Sequence, residues 1–215
     1  MTHWLAVWMG AAVLPAGSIT WKVEVEAAEK GAHDMLALTR GWIGSSAKAA
    51  WSGDERSLTF ADGVGAGTWT VSPTARLQGY APAEGGEVRP VAVEDLDVAS
   101  PELRALLPSH YETPLRDTGR TTTLLGVEVA EVEVVSSPFV RGPTTLWIAR
   151  SIAMPSMRLQ LFTADAPRVM VVAPLPVSVP VGSGVVLKAV TVDQGVRVTW
   201  TATECTPCAA AVGGG

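Results

Sequence analysis

Residues able to do chemistry are few and far apart in this 215-residue chain. Of three His residues, His3 lies in an apolar leader, His33 precedes Asp34, and His110 follows Ser109. A Ser–His–Asp relay can be written down from these, but no spacing brings nucleophile, base and orienting carboxylate together. Two scattered His residues without clustered carboxylates are a poor metal ligand set. Residues 63–67 (GVGAG) join two expected strands instead of opening a helix, so they fail the context a phosphate cradle requires. Glu94, Asp95 and Asp97 fit a solvated loop. H-E-x-x-H, P-loop and G-x-S-x-G patterns are absent. No catalytic residue, no metal and no cofactor is expected; the reading is of a protein that is not an enzyme.

The two cysteines form Cys205-Thr-Pro-Cys208 near the C-terminus. A zinc clip would need a second ligand pair, and the chain has no other Cys. A redox pair of the thioredoxin kind needs a helix behind it, whereas this motif follows a strand-like segment and precedes AAAVGGG. The expectation is a structural or idle disulfide in an oxidising compartment.

The elements that must position any site read mainly as strands. Ile19, Trp21, Val23 and Val25 alternate with Thr20, Lys22, Glu24 and Glu26, giving one dry and one wet face. Residues 34–43 put Leu36, Leu38 and Trp42 in the same two-residue phase and read as a second strand. Residues 47–52, 57–60 and 68–71 continue as a meander, carrying Trp51, Phe60 and Trp69, with residues 76–80 a further strand. Residues 81–90 read as a loop. Ser100 as N-cap, Pro101 and Glu102 open a two-turn helix with Leu103, Leu106 and Leu107 on one face. Strand character returns at Thr121, and the valine phase slips near Ala130 and Glu131, as a β-bulge would cause. Residues 144–150 make another strand. Five prolines over residues 151–183 argue for an extended crossing segment with no central strand, apart from a helical turn near 154–162. Residues 185–192 and 196–203 close the chain as a hairpin across Asp193-Gln194-Gly195, with Val198 and Trp200 in phase.

Composition bounds the function classes. Hydrophobic residues are 47%, enough for a core, and charged residues are 17%. The net charge of −5 argues against nucleic acid and against an anionic membrane surface, both of which call for a basic patch. Residues 4–14 form an uncharged apolar run of eleven, too short to span a bilayer, which takes about 20 residues. The run is followed by Pro15 and by Ala16-Gly17-Ser18, a small-x-small pattern suited to signal peptidase. Export to the periplasm or beyond is expected, with residues 1–18 as signal peptide, 19–204 as one β-rich domain and 205–215 as a tail. What the chain has in surplus is apolar strand surface. One short helix cannot cover it, so either a second sheet packs there or a hydrophobic cavity stays open.

Two stretches carry a resemblance. Residues 117–150 run DTGRTTTLLGVEVAEVEVV through a loop to TTLWIAR, and residues 179–204 run VPVGSGVVLK into a final hairpin ending VTWTATE. With the opening ITWKVEVE, these resemble the periplasmic lipoprotein-carrier group, LolA/LolB-like, and its secreted relatives. The likeness covers about a third of the chain, and its motifs are degenerate. The resemblance implies a curved antiparallel sheet forming an incomplete, half β-barrel with one or two short covering helices. It also implies a hydrophobic or amphiphilic ligand, a lipid or a lipoprotein acyl chain. The carrier's cavity Arg matches no position in these motifs, and the C-terminal Cys pair lies outside the pattern. The cavity expected here is lined by Trp21, Val23, Leu36, Leu38, Phe60, Trp69, Leu103, Leu106, Val198 and Trp200. The alternative is an immunoglobulin-type β-sandwich, a structural or interaction module with a closed dry core.

Overall fold

In a computed structural model the described residues are 16–53, 55–63, 66–71, 78–82, 88–91, 113–136, 141–154, 159–163, 168–172, 175 and 183–208. They are mainly β. The strands are β1 (Gly17–Ala27), β2 (Ser46–Ser52), β3 (Glu55–Phe60), β4 (Gly67–Val71), β5 (Gln78–Pro82) and β6 (Val88–Val91). They continue as β7 (Leu115–Leu124), β8 (Val127–Val134), β9 (Thr144–Ala149), β10 (Leu159–Thr163), β11 (Arg168–Val172), β12 (Val185–Asp193) and β13 (Val196–Cys205). Nine of them form one sheet in the order β4-β3-β2-β1-β13-β12-β9-β8-β7. Every neighbouring pair in it is antiparallel, and β4 and β7 do not meet, so the sheet is not closed into a barrel. The second sheet has the order β11-β10-β5-β6.

Local chemistry accounts for the joints. Gln194 (φ 49°) and Gly195 (φ 75°) form the two-residue loop between β12 and β13, and Leu125 (φ 49°) and Gly126 (φ 81°) the one between β7 and β8. Two successive positive φ values match the right-handed twist of paired strands. The phase slip read near Ala130 and Glu131 lies opposite a bulge on the partner strand. Asp117 faces Val132 and Thr121 faces Ala130, so three residues of β7 stand against Glu131 alone. Thr118 Oγ1 donates to the Glu131 carbonyl at 3.0 Å, which secures the bulge. Two further irregularities place Thr203 and Leu187 as extra residues on β13 and β12. Beside the second, the Trp21 indole Nε1 donates to the Val186 carbonyl at 3.0 Å.

Several expectations need correction. Residues 34–43 are not a strand but belong to a helix, α1 (His33–Ile43). Ala32, Met35, Leu36 and Ile43, which pack on the core, follow helical spacing, and this outweighs the accidental two-residue phase of Leu36, Leu38 and Trp42. Asp34 in the first turn and Arg40 in the last suit the helix dipole. Gly44 ends the helix at φ 76°, where a Cβ would sit 2.4 Å from the Asp62 carbonyl oxygen, so only glycine fits. Val88–Val91 is a strand that starts within the expected loop, and its Pro90 is tolerated because β6 is an edge. β10 and β11 are strands within the expected crossing segment, and β10 is central in its sheet. Both fit between Pro155, Pro167 and Pro174, in windows the prolines leave free. The expected helix bearing Leu103 and Leu106 lies outside the described residues. Short helices among the described residues are α1 and a helical turn at 206–208.

Candidate functional site

In an antiparallel pair, residues directly opposite one another point to the same side. Register can therefore be followed from strand to strand. Phe60, Ala47 and Trp21 form one row across β3, β2 and β1, continuing to Ala202 on β13. Leu58, Ala49, Ile19 and Cys205 form a parallel row. Val23, Trp200, Ala189, Leu146 and Val132 carry the same side across β1, β13, β12, β9 and β8. Trp21, Ile19, Leu58, Ala49, Ala189 and Leu146 are fully buried. This is a continuous apolar face, and its width follows from rows of facing residues carried across seven strands, β3 to β8.

Of the expected lining residues, Trp21, Val23, Val198 and Trp200 are buried on this face and Phe60 is half-buried. Leu36 reaches the core from α1, not from a strand. Leu38 does not belong there: it is 54% exposed on the outer side of α1. Trp69 stands opposite Leu58 in the backbone register, while its side chain lies outside the described residues, as do Leu103 and Leu106. α1 packs mainly on β1 and β13, and Arg40 Nη2 donates to the Val25 carbonyl at 2.9 Å.

Polar groups on the face are few. Thr191 and Thr144 are buried, and their hydroxyls lie 2.9 Å apart, with Thr144 Oγ1 also donating to the Gly142 carbonyl at 3.4 Å. Such a pair satisfies itself within an apolar surround. Arg56 was missed by sequence reading. Register puts it opposite Trp51, on the apolar side of β3, and it is half-buried. The signal available was its parity with Leu58 and Phe60.

Chemistry elsewhere is sparse. His33 is exposed in the first turn of α1 beside exposed Asp34. Among the described residues no group of three or more His, Cys, Asp or Glu could hold a metal ion. Cys205 and Cys208 are disulfide-bonded, with Cα atoms 5.2 Å apart, and both are buried. Between the cysteines residues 206–208 form a helical turn, and the Cys208 amide donates to Cys205 Sγ at 3.2 Å, while the segment after the motif lies outside the described residues.

Ion pairs stud the β7–β9 corner of the sheet. Arg116 pairs with Glu133, Arg120 with Glu131, and Arg150 with Asp117 at 2.6 Å. The Gly119 amide, and after it the Arg150 guanidinium, hold the Asp117 carboxyl below its ordinary range. Lys22 does the same for Glu24, and Glu133 raises Arg116. On the side opposite the apolar face, Lys188 Nζ lies 4.8 Å from the Trp147 ring. No helix among the described residues is long and apolar enough to cross a membrane. No family model matches the chain, and no curated protein matches it.

Proposed function

We propose that this is an exported, non-enzymatic binding protein that holds a lipid, a lipoprotein acyl chain or another amphiphile against the apolar face of its open sheet. One observation carries the reading: taken together, the apolar rows run without a break from β3 to β8 in a sheet that does not close. An apolar chain laid across such rows gains about 0.8 kcal/mol for each methylene it buries. Half-buried Phe60 and Leu36 lie at the margin of the fully buried rows, where a ligand can reach apolar surface without opening the core. The likeness to periplasmic lipoprotein carriers agrees with this assignment. The Cys205–Cys208 disulfide agrees with an oxidising compartment.

A second reading keeps a specific observation in its favour. Trp21, Leu58, Leu146 and Leu187 are completely buried, as in a module whose core is dry and filled. Native mass spectrometry of protein recovered from a periplasm, together with titration of a fluorescent fatty-acid analogue, separates the two. The carrier reading expects co-purifying lipid, saturable binding and weaker binding by Phe60→Ala. A lipid-free protein that leaves the analogue unbound sinks it in favour of the closed module.

A further inference from the structure

We infer that the leading apolar segment is removed at the Ala16–Gly17 bond, so that Gly17 and Ser18 belong to the mature fold. The inference rests on the export reading above, and it moves the cut two residues upstream of the place that small-x-small spacing suggests.

Gly17 and Ser18 are strand residues. They stand in register with Trp51 and Ala50 of β2. A Cβ added to Gly17 would fall 2.5 Å from the six-membered ring of Trp51, so that ring lies directly on the Gly17 backbone. Trp51 is only 4% exposed. Removing Gly17 would take away the floor under a buried indole and open one side of it to water, a loss of packing and burial together. Ser18 Oγ lies 3.2 Å from Thr206 Oγ1, which links the start of β1 to the helical turn behind β13. One residue further out the requirement stops. Ala16 is exposed and outside the strand.

The peptidase reads small residues before the cut, and Ala16 supplies one. Leu14 then takes the outer position of the pattern, which on spacing alone ranks below Ala16-Gly17-Ser18. The packing of Trp51 reverses that ranking, since a cut after Ser18 discards two residues the sheet uses.

Intact mass and N-terminal sequencing of the protein secreted from its full-length precursor give a direct test. Gly17 as first residue supports the inference. Ile19 as first residue overturns it while leaving export intact, and a retained Met1 or Thr2 overturns both. Chains beginning at Gly17 and at Ile19 should also be melted side by side. The shorter chain is expected to unfold about 5 °C lower, and equal melting temperatures would remove the structural ground for the cut.

Discussion

Leu58 and Leu38 both sit in regular elements, yet one is fully buried and the other 54% exposed. Leu58 shares a row with Ala49 and Ile19, so Leu58→Ala leaves a void that its neighbours on two strands cannot fill. It should cost ~2–5 kcal/mol in urea denaturation, whereas Leu38→Ala should stay within about 0.5 kcal/mol. Equal costs would mean the register of the apolar face is wrong. Leu125 poses the opposite problem, for it holds φ 49° in a two-residue turn and is 41% exposed. Asn tolerates that backbone region and Asn-Gly is the preferred pair for such a hairpin, so Leu125→Asn should stabilise by about 1 kcal/mol. Asp117 gives a pH signature. Its pKa is lowered in the fold by the Gly119 amide and the Arg150 guanidinium. A carboxyl of that kind adds stability above its unfolded pKa and loses it as pH falls through the folded pKa. Asp117→Asn should therefore flatten the acid limb of a stability-versus-pH curve without altering its slope near neutrality. Because Asp117 is exposed, the difference should shrink in molar salt. An acid limb identical to that of the native chain would show the ion pair to be inert.

Among the elements, those with a single unambiguous period were legible and the rest were not. β1, β2 and β13 alternate in burial over most of their length, and each lies where alternation places it, whereas β12 opens on three buried residues, Val185, Val186 and Leu187. α1 was misread because Leu36, Leu38 and Trp42 satisfy a two-residue phase while Ala32, Met35, Leu36 and Ile43 satisfy a helical one. Composition could have decided between them. The segment is rich in Ala, Leu, Met and Arg, with only Thr39 and Ile43 β-branched, and Gly44 follows it. β10 and β11 are hard to read for another reason: five prolines mark residues 151–183 as a crossing segment, although the gaps from Pro155 to Pro167 and from Pro167 to Pro174 are each as long as a strand. The β7 bulge was visible only in its echo, because the valine phase of β8 slipped while the extra residues sat on β7. That bulge matters at the sheet margin. β7 is an edge strand, and Gly119 at φ 75° with the charged Arg116, Asp117 and Arg120 interrupts its flatness. An edge so broken is a poor template for another chain. For the candidate site, residue parity was enough to place Trp21, Val23, Phe60, Val198 and Trp200 on one side, but it could not reveal what covers them.

At the scale of the molecule, the nine-stranded sheet is two antiparallel runs joined by one strand pair, β1 with β13. β1 pairs with β2 on one side and with β13 on the other, so the first and last strands of the described residues meet in the middle of the sheet. Thr20 and Glu204 bond across 184 positions of sequence. Closing a loop of that length costs about 3 kcal/mol more chain entropy than closing one of some eight residues, and the cost falls before the β1–β13 contacts can repay it. Ser18 and Thr206 touch in the folded state, so a short linker can join residue 208 to residue 17 without strain. A circular permutant that links residue 208 back to residue 17 and opens the chain between Leu125 and Gly126 therefore keeps every β1–β13 pair but makes it local. If docking of β1 on β13 limits folding, this permutant should refold up to on the order of a hundredfold faster in stopped-flow Trp fluorescence, with its unfolding rate less affected. A permutant refolding at the native rate would place the slow step inside one of the two runs. Deleting β13 should instead prevent cooperative folding altogether, because β1 would lose its longest-range neighbour, β12 its hairpin partner, and the apolar face would be split in two.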